Sequence, residues 1–201
     1  MSIGIYFVTP DGCDDALVRA ALAGGAGMIQ LRDKTATDAE MTAQARRLLP
    51  LCKAAGVPLI VNDRLDVALA SGADGLHMGQ GDGDPARMRA ALGPGRHLGL
   101  SIETADQLGG MPAHGITLIG IGPVHATATK PDHAAPLGSD GAARIARRSP
   151  VPAVAIGGLS ATDIPTLKRA GVAGVALVSA IASAPDPEAA TRALVQDWRT
   201  A

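Results

Sequence analysis

Polar and charged side chains recur along the chain directly after short apolar runs, and one group of them has a spacing that favours anion binding. Gln30, Arg32 and Lys34 alternate after the apolar pair Met28-Ile29. Alternate residues of an extended chain share one face, so an amide, a guanidinium and an ammonium group would point the same way. The alternative is a set of surface cations paired with nearby aspartates, which fits a strand end less well. The spacing therefore predicts a binding site for an anion.

Two carboxylates follow the next apolar runs. Asp63 stands in Asn62-Asp63, and Asp82 stands between Gly81 and Gly83. Taken alone, Asp82 is typical of a turn aspartate. Beside a set of cations, however, two carboxylates suit a hard cation that bridges phosphate oxygens, because Mg²⁺ takes one or two carboxylates together with substrate phosphate. We therefore predict Mg²⁺ as a cofactor, bound by Asp63 and Asp82.

Two further loops carry groups suited to phosphate. Thr127, Thr129 and Lys130 supply two hydroxyl groups and a cation in one long loop, although a polar linker is an equally good interpretation of that loop alone. Backbone N–H groups after the last two apolar runs, at Gly157-Gly158 and Val178-Ser179, are typical of a barrel phosphate pocket. One cationic site and one backbone site predict two phosphorylated substrates.

The five histidines and two cysteines carry weaker signals. We expect His77 to pack and hydrogen-bond near the barrel mouth. His125 and His133 could approach a substrate, but a catalytic-base role is the less favoured interpretation. Cys13 and Cys52 form no Cys-x-x-Cys pair, which favours free, buried or half-buried thiols.

Short runs rich in Val and Ile alternate with amphipathic stretches along the whole chain. Predicted strands cover residues 3–9, 28–32, 58–61, 75–78, 97–101, 116–120, 153–156 and 175–178. Predicted helices cover residues 14–23, 38–55, 65–71, 85–92, 105–111, 139–148, 161–170 and 186–198. About eight β–α units with continuous apolar strands predict an α/β fold, namely a (β/α)₈ TIM barrel forming a single catalytic domain over residues 1–201. An open flavodoxin-like or Rossmann sheet is the alternative, but it would need a glycine-rich turn after the first strand.

Composition narrows the class of ligand. The 201 residues are 47% apolar and 1% aromatic with a net charge of −1, so a basic face or an aromatic platform for nucleic acid is not expected. No signal peptide and no apolar run of about 20 residues is evident, and we therefore expect a cytoplasmic protein without membrane contact. Small-molecule substrates are the predicted partners, and the sequence leaves a homo-oligomer open.

The motifs together resemble those of the thiamine-phosphate synthase family. They span nearly the whole chain, and the first and last of the following four are the most specific: Gln30-Leu31-Arg32-Asp33-Lys34, Asn62-Asp63-Arg64, Gly75-Leu76-His77-Met78-Gly79-Gln80 and Thr127-Ala128-Thr129-Lys130. The resemblance implies a transferase of thiamine biosynthesis. Such an enzyme joins hydroxymethylpyrimidine diphosphate to a thiazole phosphate and releases pyrophosphate.

The resemblance also implies residue roles. Catalytic residues would be Arg32, Lys34, Lys130 and Ser101, with Mg²⁺ on Asp63 and Asp82. The pyrimidine would lie on Gln30 and Ser101, with Tyr6 lining its pocket. The remaining substrate-binding residues would be Asn62 and Thr129 for the diphosphate, and Thr127, Gly158, Val178 and Ser179 for the thiazole phosphate.

Two rival functions remain. A thiazole tautomerase uses the same barrel without joining two substrates, but it typically lacks the Asn-Asp pair and the full Gln-Leu-Arg-x-Lys set. A catalytically silent barrel that binds thiamine precursors would not need Asp63, Asp82 and Lys130.

Several positions depart from the family pattern, among them Gly81, His125 and Ala128.

Overall fold

The computed structural model describes residues 2–127 and 134–201 and forms a closed barrel of eight parallel strands in chain order. The strands are β1 (Gly4–Val8), β2 (Met28–Leu31), β3 (Leu59–Asn62), β4 (Gly75–Met78), β5 (His97–Ile102), β6 (Leu118–Ile121), β7 (Ala153–Ile156) and β8 (Gly174–Leu177). Parallel pairing of β1 with β8, in which Tyr6 lies opposite Ala176, closes the barrel. An open sheet has no such pairing, so the TIM-barrel prediction is confirmed.

Helices follow the strands and cover the outside of the barrel. They are α1 (Asp15–Ala23), α2 (Asp38–Ala55), α3 (Leu65–Ser71), α4 (Pro85–Leu92), α5 (Ala105–Gly109), α6 (Gly138–Arg148), α7 (Ile164–Arg169), α8 (Ser179–Ala182) and α9 (Pro187–Thr200). Local sequence sets their ends. At the start of α2, Thr37 and Glu40 form a reciprocal capping box, and Gly56 ends the helix at φ 67°, a left-handed conformation that glycine adopts without a Cβ penalty.

Two apolar layers hold the fold together. The larger lies between strands and helices, and the smaller fills the lower barrel with Ile3, Tyr6, Val8, Met28, Ile60, Leu118, Val154 and Ala176. Tyr6, Val8, Leu118, Val154 and Ala176 of this inner layer also line the cavity at the carboxyl ends of the strands. Among residues 2–127 and 134–201, no helix combines the length and the apolar character needed to cross a bilayer.

The predicted elements differ from the observed ones mainly near the carboxyl end of the chain. The helix predicted over residues 161–170 begins as a 3-10 turn, Ala161–Asp163, before α7. Sequence reasoning missed α8, because its four residues are too few to show a helical period. Both differences lie beside the barrel mouth, where short irregular segments follow β7 and β8.

Candidate active site

A cavity of about 800 Å³ opens at the carboxyl ends of the strands. Every predicted site residue in the described part of the chain lines it: Gln30, Arg32, Lys34, Asn62, Asp63, Asp82, Ser101, Thr127, Gly158, Val178 and Ser179. The other two predicted site residues, Thr129 and Lys130, lie outside the described residues. The cavity thus collects residues from all eight strand ends, as the barrel topology requires.

The loops after β2, β3 and β4 bring one cation and two carboxylates together. Lys34 Nζ donates a hydrogen bond to Asp63 Oδ2, and the Asp82 carboxyl lies beside that of Asp63. Burial raises the pKa of Asp82, and the neighbouring Asp63 raises it further, which together outweigh the hydrogen bond from the Gly79 N–H. Two adjacent carboxylates with one lysine leave negative charge that a further cation would neutralise.

Asp63 is held in an unusual backbone conformation. Its φ is 60°, the only positive value among the described residues other than glycine, and its N–H donates to the His77 carbonyl at 2.8 Å. Left-handed φ costs energy for a residue with a Cβ and is concentrated at functional sites. The conformation directs the carboxylate into the cavity beside Lys34.

A second layer of acids fixes the cations. Asp11 Oδ1 accepts from Arg32 Nη1 and from the Lys34 N–H, both at 2.8 Å. Burial acts to raise the pKa of Asp33, but hydrogen bonds from Thr35, Gly12 and Ala36 outweigh it and lower the pKa to about 2. Asp33 is therefore an ionised anchor of the loop that carries Lys34.

Tyr6 and Gln30 form a polar pair deep in the barrel. Gln30 Nε2 donates to Tyr6 Oη at 2.9 Å, and both side chains are buried. Burial raises the pKa of Tyr6 and exceeds the opposing effect of the Gln30 hydrogen bond, so the phenol stays neutral. The pair presents neutral hydrogen-bonding groups to the cavity, which suits an uncharged ring.

His77 supports Ser101 from below. Its Nε2 lies 3.0 Å from Ser101 Oγ, and burial lowers the pKa of His77 to about 4, so the imidazole is neutral. The ring occupies space that glycine leaves: a Cβ on Gly99 would lie 2.3 Å from His77 Nδ1, and one on Gly120 would lie 3.1 Å from Cε1. The prediction that His77 packs and hydrogen-bonds near the mouth is confirmed.

The opposite side of the cavity is made of backbone. Gly157 and Gly158 follow β7 with φ values of 99° and 63°, and Ser179 begins α8 directly after β8 and Val178. A Cβ on Gly158 would lie 2.6 Å from the Ala126 carbonyl oxygen. Only glycine lets the loop after β6 approach this turn so closely.

Comparison with known proteins gives the same family as the motifs. The model of the family described as thiamine monophosphate synthase matches residues 5–181. The chain belongs to the thiamine monophosphate synthase family. A thiamine-phosphate synthase from Roseiflexus castenholzii is 48% identical over 178 residues, covering 89% of this chain and 78% of that protein. A thiamine-phosphate synthase from Chloroflexus aurantiacus is 43% identical over 195 residues, covering 94% of this chain and 90% of that protein.

A solved structure agrees with these relatives of the thiamine monophosphate synthase family. The thiamine phosphate pyrophosphorylase from Pyrococcus furiosus superimposes with a TM-score of 0.89 at 30% identity, and the match covers 98% of this chain and 96% of that one. A 3-hexulose-6-phosphate synthase also superimposes, with a TM-score of 0.67 at 17% identity, which shows the shared barrel alone.

Sequence reasoning missed several residues of this thiamine monophosphate synthase family site. Asp11 lines the cavity and holds Arg32, although Thr9-Pro10-Asp11-Gly12 has the composition of an ordinary turn. Glu103 also lines the cavity, two residues after Ser101. A signal was available for both, since each follows a predicted strand at its carboxyl end.

Proposed function

We propose that this chain is a thiamine-phosphate synthase. It condenses 4-amino-2-methyl-5-hydroxymethylpyrimidine diphosphate with hydroxyethylthiazole phosphate to give thiamine phosphate and pyrophosphate. The observation that carries the proposal is one cavity with two different sides suited to anions, a side with the cations Arg32 and Lys34 and a backbone side at Gly158 and Ser179. Two phosphorylated substrates that must meet require such an arrangement.

The charged side fits a magnesium ion. Asp63 and Asp82 are adjacent carboxylates, and the pKa of Asp82 is raised first by burial and then by the neighbouring Asp63, so a cation bound between them would relieve both costs. The described residues contain no group of three or more His, Cys, Asp or Glu side chains that could hold a metal without help. Two carboxylates leave positions for phosphate oxygens, as Mg²⁺ sites at phosphate groups commonly do. When bound there, Mg²⁺ would supply charge neutralisation for the leaving pyrophosphate.

The protein's own residues position and stabilise the leaving group. Arg32, Lys34 and Asn62 would bind the diphosphate, and Thr129 and Lys130, which lie outside the described residues, are assigned with them by resemblance. The bond between the pyrimidine methylene carbon and the diphosphate oxygen breaks, and its electron pair leaves with pyrophosphate. Fixed cations that meet the departing charge lower the barrier without a proton transfer.

The two rings would meet above the inner apolar layer. Gln30 and Ser101 would hold the pyrimidine, while Thr127 and the backbone N–H groups of Gly158 and Ser179 would hold the thiazole phosphate. The lone pair of the thiazole nitrogen forms the new bond to the methylene carbon. No side-chain nucleophile is needed, so catalysis consists of positioning and electrostatic stabilisation.

A reconstituted reaction tests the proposal. Purified protein is mixed with both substrates and Mg²⁺, and thiamine phosphate and pyrophosphate are measured together. We expect equal amounts of both products, none when either substrate is omitted, and loss of turnover on chelation of Mg²⁺ with recovery when it is restored. Folded protein that forms no product with both substrates present would overturn the proposed function.

A lysine variant tests the assignment of the charged side by resemblance. Lys130→Ala should lower turnover by about 100-fold or more, because one donor to developing charge is commonly worth that much. The matched control is Lys53→Ala, at an exposed lysine in the last turn of α2. If Lys130→Ala turned over as fast as the control, the assignment of Lys130 would be wrong even with the activity confirmed.

A further inference from the structure

One hydrogen-bonded pair of side chains joins the two loops on the backbone side of the cavity. His125, in the loop after β6, places Nε2 at 2.7 Å from Oδ1 of Asp163, which lies in the 3-10 turn after β7. A carboxylate can only accept, so the contact requires a proton on His125 Nε2. The other carboxylate oxygen of Asp163 accepts from the N–H and hydroxyl of Ser160 at 2.9 and 3.0 Å.

Asp163 is anchored more firmly than His125. Its side chain is 15% exposed, whereas that of His125 is 43% exposed. Burial acts to raise the pKa of Asp163, but the hydrogen bonds from His125 and Ser160 outweigh it and lower the pKa. The turn after β7 therefore offers a fixed, ionised acceptor, and the imidazole brings the loop after β6 to it.

Backbone hydrogen bonds carry this loop up to His125. Val124 N–H donates to the Ile156 carbonyl and His125 N–H to the Gly157 carbonyl, both at 2.9 Å. These bonds continue the pairing beyond the end of β6, to the last residue of β7 and the residue after it. The next residue, Ala126, presses its carbonyl oxygen against Gly158, and Thr127 then lines the cavity.

We propose that His125 is a positioning residue for the thiazole-phosphate half of the site, acting through Asp163. The contact holds the backbone of residues 125–127 against the Gly157-Gly158 turn and so sets the place of Thr127 beside Gly158. This inference rests on the proposed function for the identity of the ligand. His125 itself lies outside the group of cavity-lining residues, so its effect is on the binding of one substrate and not on bond breaking.

Steady-state kinetics of paired variants test the inference. His125→Leu removes the donor, whereas His125→Gln keeps an N–H donor on a side chain of similar reach. We expect His125→Leu to raise KM for the thiazole phosphate by about fivefold, the scale of one hydrogen bond, with kcat and KM for the pyrimidine diphosphate little changed. His125→Gln should restore most of the affinity. His114→Gln, at an exposed loop histidine, is the control.

A double-variant cycle tests the route through Asp163. With Asp163→Ala already present, His125→Leu should add no further rise in KM for the thiazole phosphate, because the shared contact has already been lost.

Equal rises in both KM values, a fall in kcat alone, or a Gln variant no better than the Leu variant would each overturn the inference. If wild-type protein shows no turnover, the proposed function fails first. Calorimetric binding of the thiazole phosphate to the same variants then decides the role of His125 separately.

Discussion

The half of the cavity after β2, β3 and β4 is built from charged side chains, whereas the half after β7 and β8 is built from backbone and glycine. On the first side, Lys34 contacts Asp63, and Asp11 and Asp33 hold the loop from behind. On the second side, Gly158 admits another loop to within contact distance. The charged side can stabilise the negative charge that develops on a leaving pyrophosphate. The backbone side offers fixed N–H donors to a phosphate whose charge does not change during the reaction.

The two halves should therefore fail in different ways. Loss of a charge on the side-chain half removes stabilisation of the leaving group, which lowers turnover. Added bulk on the backbone half displaces the loop and lowers the affinity for one substrate. Variants that separate kcat from KM can test this contrast directly.

Neutralisation of Asp63 should have the largest effect. Asp63→Asn removes a proposed Mg²⁺ ligand, and asparagine tolerates the φ of 60° that alanine would not. We expect kcat to fall by about 100-fold or more with the melting temperature nearly unchanged, since the charge acts on the leaving group. Turnover at several Mg²⁺ concentrations and a thermal melt provide the measurements.

The control for Asp63→Asn is Asp197→Asn, the same change at an exposed position of α9. The control should match wild type in both measurements. Near-normal turnover of Asp63→Asn at low Mg²⁺ would break the contrast, because the charged half would then not be the catalytic half.

Added bulk at Gly158 should have a smaller effect, and mainly on binding. Its φ is 63° and a Cβ would meet the Ala126 oxygen at 2.6 Å, so Gly158→Ala must displace the loop after β6. We expect KM for the thiazole phosphate to rise by about tenfold while kcat changes less, because the loop no longer seats against the turn. Both constants come from initial rates with the pyrimidine diphosphate at saturation.

A variant at a second glycine separates the backbone strain of a left-handed φ from the steric clash with Ala126. Gly56 has a φ of 67° with no atom beyond its chain neighbours within 4 Å of an added Cβ, so Gly56→Ala carries only the left-handed cost of roughly 1–2 kcal/mol. Both variants should lose stability in urea unfolding, but only Gly158→Ala should change KM. If Gly56→Ala changed KM as much, the effect would be one of global stability.

The sequence predicts the barrel and the cavity well because both follow from strand ends. Gln30, Asp63 and Ser101 each come directly after an apolar run, and parallel strands bring their carboxyl ends to one rim. The pattern of apolar runs, together with the rule that parallel strands end at the same rim of a barrel, was sufficient to place these residues together. The proposed Mg²⁺ and the two substrate rings are not part of that pattern, so their identity rests on the family.

The supporting contacts were not predictable from the sequence. Asp11 meets Arg32 across 21 positions, and His125 meets Asp163 across 38. Such pairs depend on side-chain rotamers and on the exact course of irregular loops. The periodicity of apolar residues in the sequence carries no information about either. Asp33 illustrates the point, since it accepts hydrogen bonds from the backbone N–H groups of Gly12, Thr35 and Ala36, contacts that its place in the motif does not reveal.

The smallest expected effect concerns stability and comes from Asp33 on the charged half. Its pKa falls from 3.8 to about 2 on folding, so its contribution is complete above about pH 4 and is lost as the pH falls toward 2. In urea unfolding, the deficit of Asp33→Asn relative to wild type should be larger near pH 6 than near pH 3, by roughly 1 kcal/mol. A deficit that stays constant with pH would mean that shape, and not charge, anchors the Lys34 loop. The charged half would then resemble the backbone half in how it is held.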